Sequence, residues 1–193
     1  MIIGITGGTG SGKSTLLAEL EKLGALVLDC DKIYHQLLKS DTPLVSAIAA
    51  RFPGTVEDGQ LQRKKLGSIV FSDEKALLDL NRITHAAIHA EVMRQLETKP
   101  ALAAIDAIGL FESGLDRLCD VTVAVTAPAE DRVARLMARD GITEEYARSR
   151  IAAQHEDSWF REKCGYVLEN RGNIDTFRSE CLAFLRELGI MDI

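Results

Sequence analysis

One stretch near the N-terminus limits what this chain can fold into. Ile2-Ile3-Gly4-Ile5 is the kind of apolar run expected of a buried parallel strand. Gly7-Gly8-Thr9-Gly10-Ser11-Gly12-Lys13-Ser14 follows and matches the phosphate-loop pattern G-x-x-x-x-G-K-[ST]. Leu16, Leu17, Leu20 and Leu23 then recur at helical spacing. The order has a chemical reason. Glycines let the backbone curl so that successive N–H groups point at one anion. The helix behind the loop adds its positive end and its unpaired donors. Lys13 brings a compact cation to the β- and γ-phosphates, and the Ser14 hydroxyl is suited to ligating Mg²⁺. A plain glycine turn would not need Lys13-Ser14. The stretch reads as a nucleotide-phosphate site.

The rest of the chain is compatible with that site. At 193 residues it supports one domain with a substrate-binding insertion, and no apolar run reaches the ~20 residues that span a bilayer. Strand residues begin at once, with no charged region ahead of an apolar stretch, which predicts no signal peptide and a cytoplasmic protein. Cys30, Cys119, Cys164 and Cys181 are scattered without metal-like spacing, so they are expected as buried thiols in a reducing compartment. A net charge of −6 disfavours a nucleic-acid coat or an anionic membrane as partner. Cations are instead concentrated locally: Lys13, Arg63-Lys64-Lys65, and the arginines at 132, 135, 139, 148 and 150.

Five strands are expected, at 2–5, 25–28, 101–105, 121–125 and 166–168, alternating with helices. This specifies an α/β fold, a doubly wound five-stranded parallel sheet. Residues 32–98 show helical periodicity and no strand-like run, so they are expected as a helical insertion: a helix over 32–51 that restarts at Pro43, then helix from 61 to 96. The core is then 1–31 with 99–193, and the long charged stretch at about 139–165 suits a mobile lid. Asp29-Cys30-Asp31 closes the second strand, the end of a parallel sheet where ligands bind. Asp31 either caps the helix beginning near Lys32 or serves catalysis, and the neighbouring phosphate loop favours catalysis. His85 and His89 lie i, i+4 on a helix but lack the Glu of H-E-x-x-H and a third metal ligand. Trp159 and Phe160 either cover a base or pack the lid.

No N-K-x-D or L-S-G-G-Q segment is present, which argues against guanine-specific switches and transporter ATPases. The layout resembles small-molecule P-loop NTPase kinases of the adenylate kinase type. In detail the chain resembles the dephospho-CoA kinases. The likeness rests on Gly4-Ile5-Thr6-Gly7-Gly8-Thr9-Gly10-Ser11-Gly12-Lys13-Ser14-Thr15, Asp29-Cys30-Asp31, and Asp58-Gly59-x-Leu61-x-Arg63-x-x-Leu66-Gly67. It continues through Leu80-Asn81-x-Ile83-Thr84-His85, Leu110-Phe111-Glu112, Arg135-Leu136-x-x-Arg139-Asp140-Gly141, Arg150-Ile151-x-Ala153-Gln154 and Asn170-x-Gly172. Departures from the family pattern stand at Ala86 for Pro, Gly109, Arg132 for a lid Gln, and Cys164-Gly165.

The resemblance implies ATP-dependent phosphorylation of the ribose 3′-hydroxyl of dephospho-CoA, with Mg²⁺. A kinase for another nucleoside or nucleotide, or a nucleotide-driven switch, is the alternative. Implied partners are ATP and dephospho-CoA, with no nucleic acid or membrane, for a monomer or weak homo-oligomer. ATP would lie on Gly8, Thr9, Gly10, Ser11, Gly12, Lys13, Ser14 and Thr15. Asn170 would lie near the adenine or form a turn, and Ser14 would hold Mg²⁺. Asp31 would orient and deprotonate the acceptor, or contact Mg²⁺ through water. Lys13 would act on the ATP phosphates, and Arg139 would neutralise charge on the transferring group or stand as a solvated helix-end arginine. His35, Arg63, His85 and Glu112 would line the acceptor pocket.

Overall fold

The structure, a computed structural model, describes residues 1–39 and 42–191. The part of the expected 32–51 helix at 40–41 therefore lies outside the described residues. In chain order the elements are β1 (Ile2–Thr6), α1 (Lys13–Lys22), β2 (Leu26–Asp29), α2 (Cys30–Leu37), α3 (Pro43–Arg51), β3 (Val56–Glu57), β4 (Gln60–Leu61), α4 (Arg63–Val70) and α5 (Glu74–Leu96). They continue with β5 (Ala103–Asp106), a 3₁₀ turn (Leu115–Leu118), β6 (Val121–Thr126), α6 (Ala129–Asp140), α7 (Glu144–Ala152), α8 (Asp157–Lys163), β7 (Tyr166–Glu169) and α9 (Ile174–Glu187). The chain falls into two compact units. One comprises residues 1–27, 100–111 and the chain from Leu115 onward; the other comprises Leu28–Lys99 with Glu112–Gly114.

The five strands form one parallel sheet in the order β2-β5-β1-β6-β7, with β1 at its centre. Being central explains why β1 reads as a continuous apolar run: both its faces are covered. Ile3 and Ile5 are 0% exposed and meet Leu16 and Leu20 of α1 and Phe177, Cys181, Phe184 and Leu185 of α9. Those helical positions recur every three or four residues, so one stripe of each helix faces the sheet. Each such side chain contributes roughly 1.5–3 kcal/mol on burial, more than any cap or surface ion pair in the molecule. Gly4 points to the opposite face, where an added Cβ would lie 2.7 Å from Cys119 Sγ and 2.9 Å from Leu110 Cδ2.

The second unit is built around Leu44, Ile48, Phe52, Leu66, Val70 and Ala76. Its helices match the periodicity, but the expectation of no strand between 32 and 98 is corrected. β3 and β4 pair antiparallel, Val56 with Leu61 and Glu57 with Gln60. Asp58 (φ 50°) and Gly59 (φ 72°) make the left-handed two-residue turn between them. Two-residue strands are too short to show a period, so Asp-Gly was the one readable sign. The helix expected from 61 to 96 is also two helices. Asp73 breaks it by accepting from the N–H groups of Lys75 and Ala76 at the start of α5.

Candidate active site

The loop between β1 and α1 is held from outside by its carbonyl oxygens. Arg132 Nε donates to Thr9 O (2.9 Å), and Arg135 Nη1 donates to Gly10 O and Ser11 O (both 3.3 Å). Asn170 Nδ2 donates to Ser11 O (2.8 Å), and its Oδ1 accepts from Arg135 (3.2 Å). The C=O and N–H of a peptide point in opposite directions, so bracing the Thr9 and Ser11 carbonyls outward aims the N–H groups of Gly10 and Gly12 inward, as an anion nest requires, while Ser11 N–H donates to Gly8 O (3.2 Å). Gly12, at φ 105°, opens α1 with no side-chain cap, which leaves the helix-end donors for a ligand. Ser11 is buried and its hydroxyl has no hydrogen-bond partner among the described residues. Lys13 Nζ donates to Gly7 O at 3.0 Å. Thr9 N–H is turned to Gln154 Oε1 (2.8 Å).

Sequence reasoning left Asn170 between a base contact and a turn. The structure buries it beneath the loop as a brace. The same reasoning gave Arg132 and Arg135 no placement at the loop. The available signal was spacing, since Arg132 shares a helical stripe with the buried Leu136. Asp106 was also passed over. It ends β5 opposite Ile5 of β1, and the apolar run ending in an acid was its mark.

Arg139 is exposed, and its Nε and Nη2 donate to Asp140 (2.6 and 3.0 Å), which also accepts from Arg150 Nη1 (2.7 Å). These hydrogen bonds, Arg139's first and Arg150's next, hold the Asp140 carboxyl down at about 2, against a usual 3.8. A depressed folded-state pKa contributes stability above the ordinary carboxylate value that is lost as pH falls through about 2. Asp140→Asn is therefore expected to flatten the stability-versus-pH profile between pH 4 and pH 2, read by thermal melts. A slope equal to the parent's in that window would contradict the pairing.

Between residues 139 and 165, α7 packs on α6 through Ala147 against Val133 and Leu136. Phe160 is buried, and Trp159 stacks on His155 with centroids 3.9 Å apart and rings 7° from parallel. Phe111 meets Trp159 edge-on at 5.7 Å. Trp159 and Phe160 thus pack with one another and with the aromatic rings around them.

In the second unit, Asp29 caps α2: its side chain accepts from Lys32 N–H (2.9 Å) and pairs with Lys32 Nζ (3.1 Å). The alternative in which Asp31 is the cap is corrected. Asp31 lies in the first turn of α2, exposed, and its side chain takes part in no hydrogen bond or ion pair among the described residues. His35 is exposed beside the Tyr34 ring (5.9 Å). Arg63 opens α4 near the Tyr34 phenol, whose pKa burial raises and the Arg63 charge lowers in part. Lys65 pairs with Glu57. His85, His89, Asn81, Arg82 and Glu112 line an open cleft of about 690 Å³. The cleft brings His85 and Glu112 together, whereas Asp31, His35 and Arg63 are not in its lining. No group of three or more His, Cys, Asp or Glu suited to a metal exists among the described residues. No disulfide joins the four cysteines, and burial raises the thiols of Cys119 and Cys181 to about 12 and of Cys164 to about 11. Such thiols are not nucleophiles near neutral pH.

No helix among the described residues is long and apolar enough to cross a membrane. The family model described as dephospho-CoA kinase matches residues 1–176. A dephospho-CoA kinase of Symbiobacterium thermophilum is 41% identical over 192 residues, covering 96% of this chain and 80% of that one. A solved protein from Thermus thermophilus superposes with a TM-score of 0.81 at 35% identity, covering 97% of each chain. The dephospho-CoA kinase from Campylobacter jejuni does so with 0.68 at 26% identity over 98% of each. A phosphate loop braced from outside, a helical unit with its own cleft, and these matches over nearly the whole length agree: the chain belongs to the dephospho-CoA kinase family.

Proposed function

We propose that this chain transfers the γ-phosphoryl group of ATP to the ribose 3′-hydroxyl of dephospho-CoA. The observation that carries the reading is that the family match runs from residue 1 to 176, taking in both the phosphate loop and the helical unit. The backbone from Gly8 to Ser14, apart from the Thr9 N–H that Gln154 holds, receives the β- and γ-phosphates, with Thr15 behind it. Lys13 exchanges its neutral acceptor, Gly7 O, for phosphate oxygen, where the bond is charge-assisted. The acceptor oxygen bonds to phosphorus as the bridge to the β-phosphate breaks, and its proton passes to Asp31. Arg139 leaves Asp140 to meet charge on the transferring group. Catalysis of this kind is mostly positioning and charge stabilisation. His35, Arg63, His85 and Glu112 hold the acceptor, and the 139–165 segment closes over the nucleotide as a lid.

Mg²⁺ fits the residues present. Ser14 at the start of α1 and Asp106 at the end of β5 are hard oxygen donors, and Mg²⁺ takes few protein ligands and keeps several waters. Ser14 would hold it with Asp106 in support, and when bound it supplies neutralisation of phosphate charge. The absence of disulfides fits a reducing compartment such as the cytoplasm. We take the chain to act as a monomer or weak homo-oligomer.

A coupled ADP-release assay tests the reaction, with dephospho-CoA, a panel of nucleosides and nucleotides, and no acceptor in parallel. Release with dephospho-CoA alone is expected. Turnover with another acceptor only, or equal release without one, would replace this reading with the other kinase or with the switch.

A further inference from the structure

Arg132 is 4% exposed, an unusual place for a guanidinium, and every polar contact its side chain makes bears on the phosphate loop or the 139–165 segment. Its Nε donates to Thr9 O (2.9 Å), Nη2 to Gln154 Oε1 (3.2 Å), and Nη1 to Asp157 Oδ1 (3.4 Å). Gln154 Oε1 also accepts from Thr9 N–H (2.8 Å). The two peptide groups that flank Thr9 are therefore both held, one by Arg132 directly and one through a glutamine that Arg132 itself orients.

The loop is shaped to admit this residue, its side chain at Gly8 and its backbone at Gly10. An added Cβ at Gly8 would lie 2.1 Å from Arg132 Nη2, and one at Gly10 would lie 3.0 Å from Arg132 O. Thr9 stands between two residues of wide conformational freedom, so nothing in the loop's own covalent structure fixes its peptides. One hydrogen bond inside the loop, from Ser11 N–H to Gly8 O (3.2 Å), holds the peptide before Thr9; the carbonyl of Thr9 itself is held from outside, by Arg132.

We propose that Arg132 is a positioning residue for nucleotide binding: it sets the peptides around Thr9, and Gln154 and Asp157 set Arg132, tying the loop to the connection between α7 and α8 and to the first residue of α8. The inference rests on the nucleotide reading of the loop but not on the identity of the acceptor. The test is therefore equilibrium binding of Mg·ADP by calorimetry on the full chain with no acceptor present. Arg132→Met is expected to weaken ADP binding about tenfold, the order of freeing one residue's backbone. KM for dephospho-CoA, measured separately, is expected to stay within about twofold. Arg132→Lys keeps the charge but not the fork, and is expected to recover less than half of the loss. Gln154→Ala is expected to weaken ADP binding about fivefold. The double variant is expected to be no more than about twofold worse than Arg132→Met, because the two act on one unit.

ADP binding within twofold of the parent in Arg132→Met, complete recovery by lysine, or a double loss equal to the product of the single ones would each overturn the proposal. Should Arg132→Met fail to fold, Gln154→Ala decides alone, and unchanged binding there refutes the clamp. A parent chain that binds ADP but ignores dephospho-CoA would sink the reaction above and leave this comparison intact.

Discussion

Asp31→Asn is expected to fold like the parent and to lose about 10²-fold or more in kcat. The two halves of that expectation have separate physical grounds. Asp31 is exposed, its side chain takes part in no hydrogen bond or ion pair among the described residues, and it is not the cap of α2, a role held by Asp29. Its structural worth is then a carboxylate's interaction with the helix end, about 0.3–1 kcal/mol. A 10²-fold loss corresponds to about 2.7 kcal/mol of transition-state free energy, well beyond that. Asparagine keeps the shape and cannot take the proton from the acceptor hydroxyl. Steady-state turnover with saturating ATP and dephospho-CoA, alongside a melt, decides the matter. Unchanged kcat would remove Asp31 from proton transfer.

Gly7→Ala is expected to destabilise the fold by about 4 kcal/mol, a large share of the 5–15 kcal/mol that a domain has. Gly7 sits at φ 132°, a conformation that L side chains rarely adopt, and an added Cβ would lie 2.1 Å from Val125 O. That oxygen belongs to β6, beside the central strand, and cannot swing aside as a lysine tip would. Gly114→Ala is the matched control. It also has positive φ, 72°, but nothing lies within 4 Å, so only the left-handed penalty of about 1–2 kcal/mol applies. For a chain of this size the Gly7 variant should melt roughly 8–16 °C lower. A drop no larger than the control's would show that β6 yields after all.

What was readable from sequence followed the length scale of each signal. The parallel sheet was legible because β1, β5 and β6 are apolar runs bounded by turns. The flanking helices were legible because Leu16/Leu20 and Phe177/Cys181/Phe184 repeat at the helical period. The hairpin at Val56–Leu61 was not, since two residues carry no period. At the candidate site, the phosphate loop was visible because its contacts are local: Gly, Lys and Ser act within eight residues of one another. Its bracing was not. Arg132, Arg135 and Asn170 reach the loop from more than 120 residues away, and a sequence does not display which surface arginine folds inward. Asp29 and Asp31 are separated by a finer matter still. Which carboxylate caps depends on where α2 begins, and element boundaries are the least certain part of any pattern reading.

Trp159 is the chain's single tryptophan, and it lies face to face with His155 on the segment that carries Gln154 and Asp157. An indole so placed is an intrinsic fluorophore at the joint between loop and α8. Its emission should change whenever that stack parts, so opening of this segment can be followed optically without any attached label.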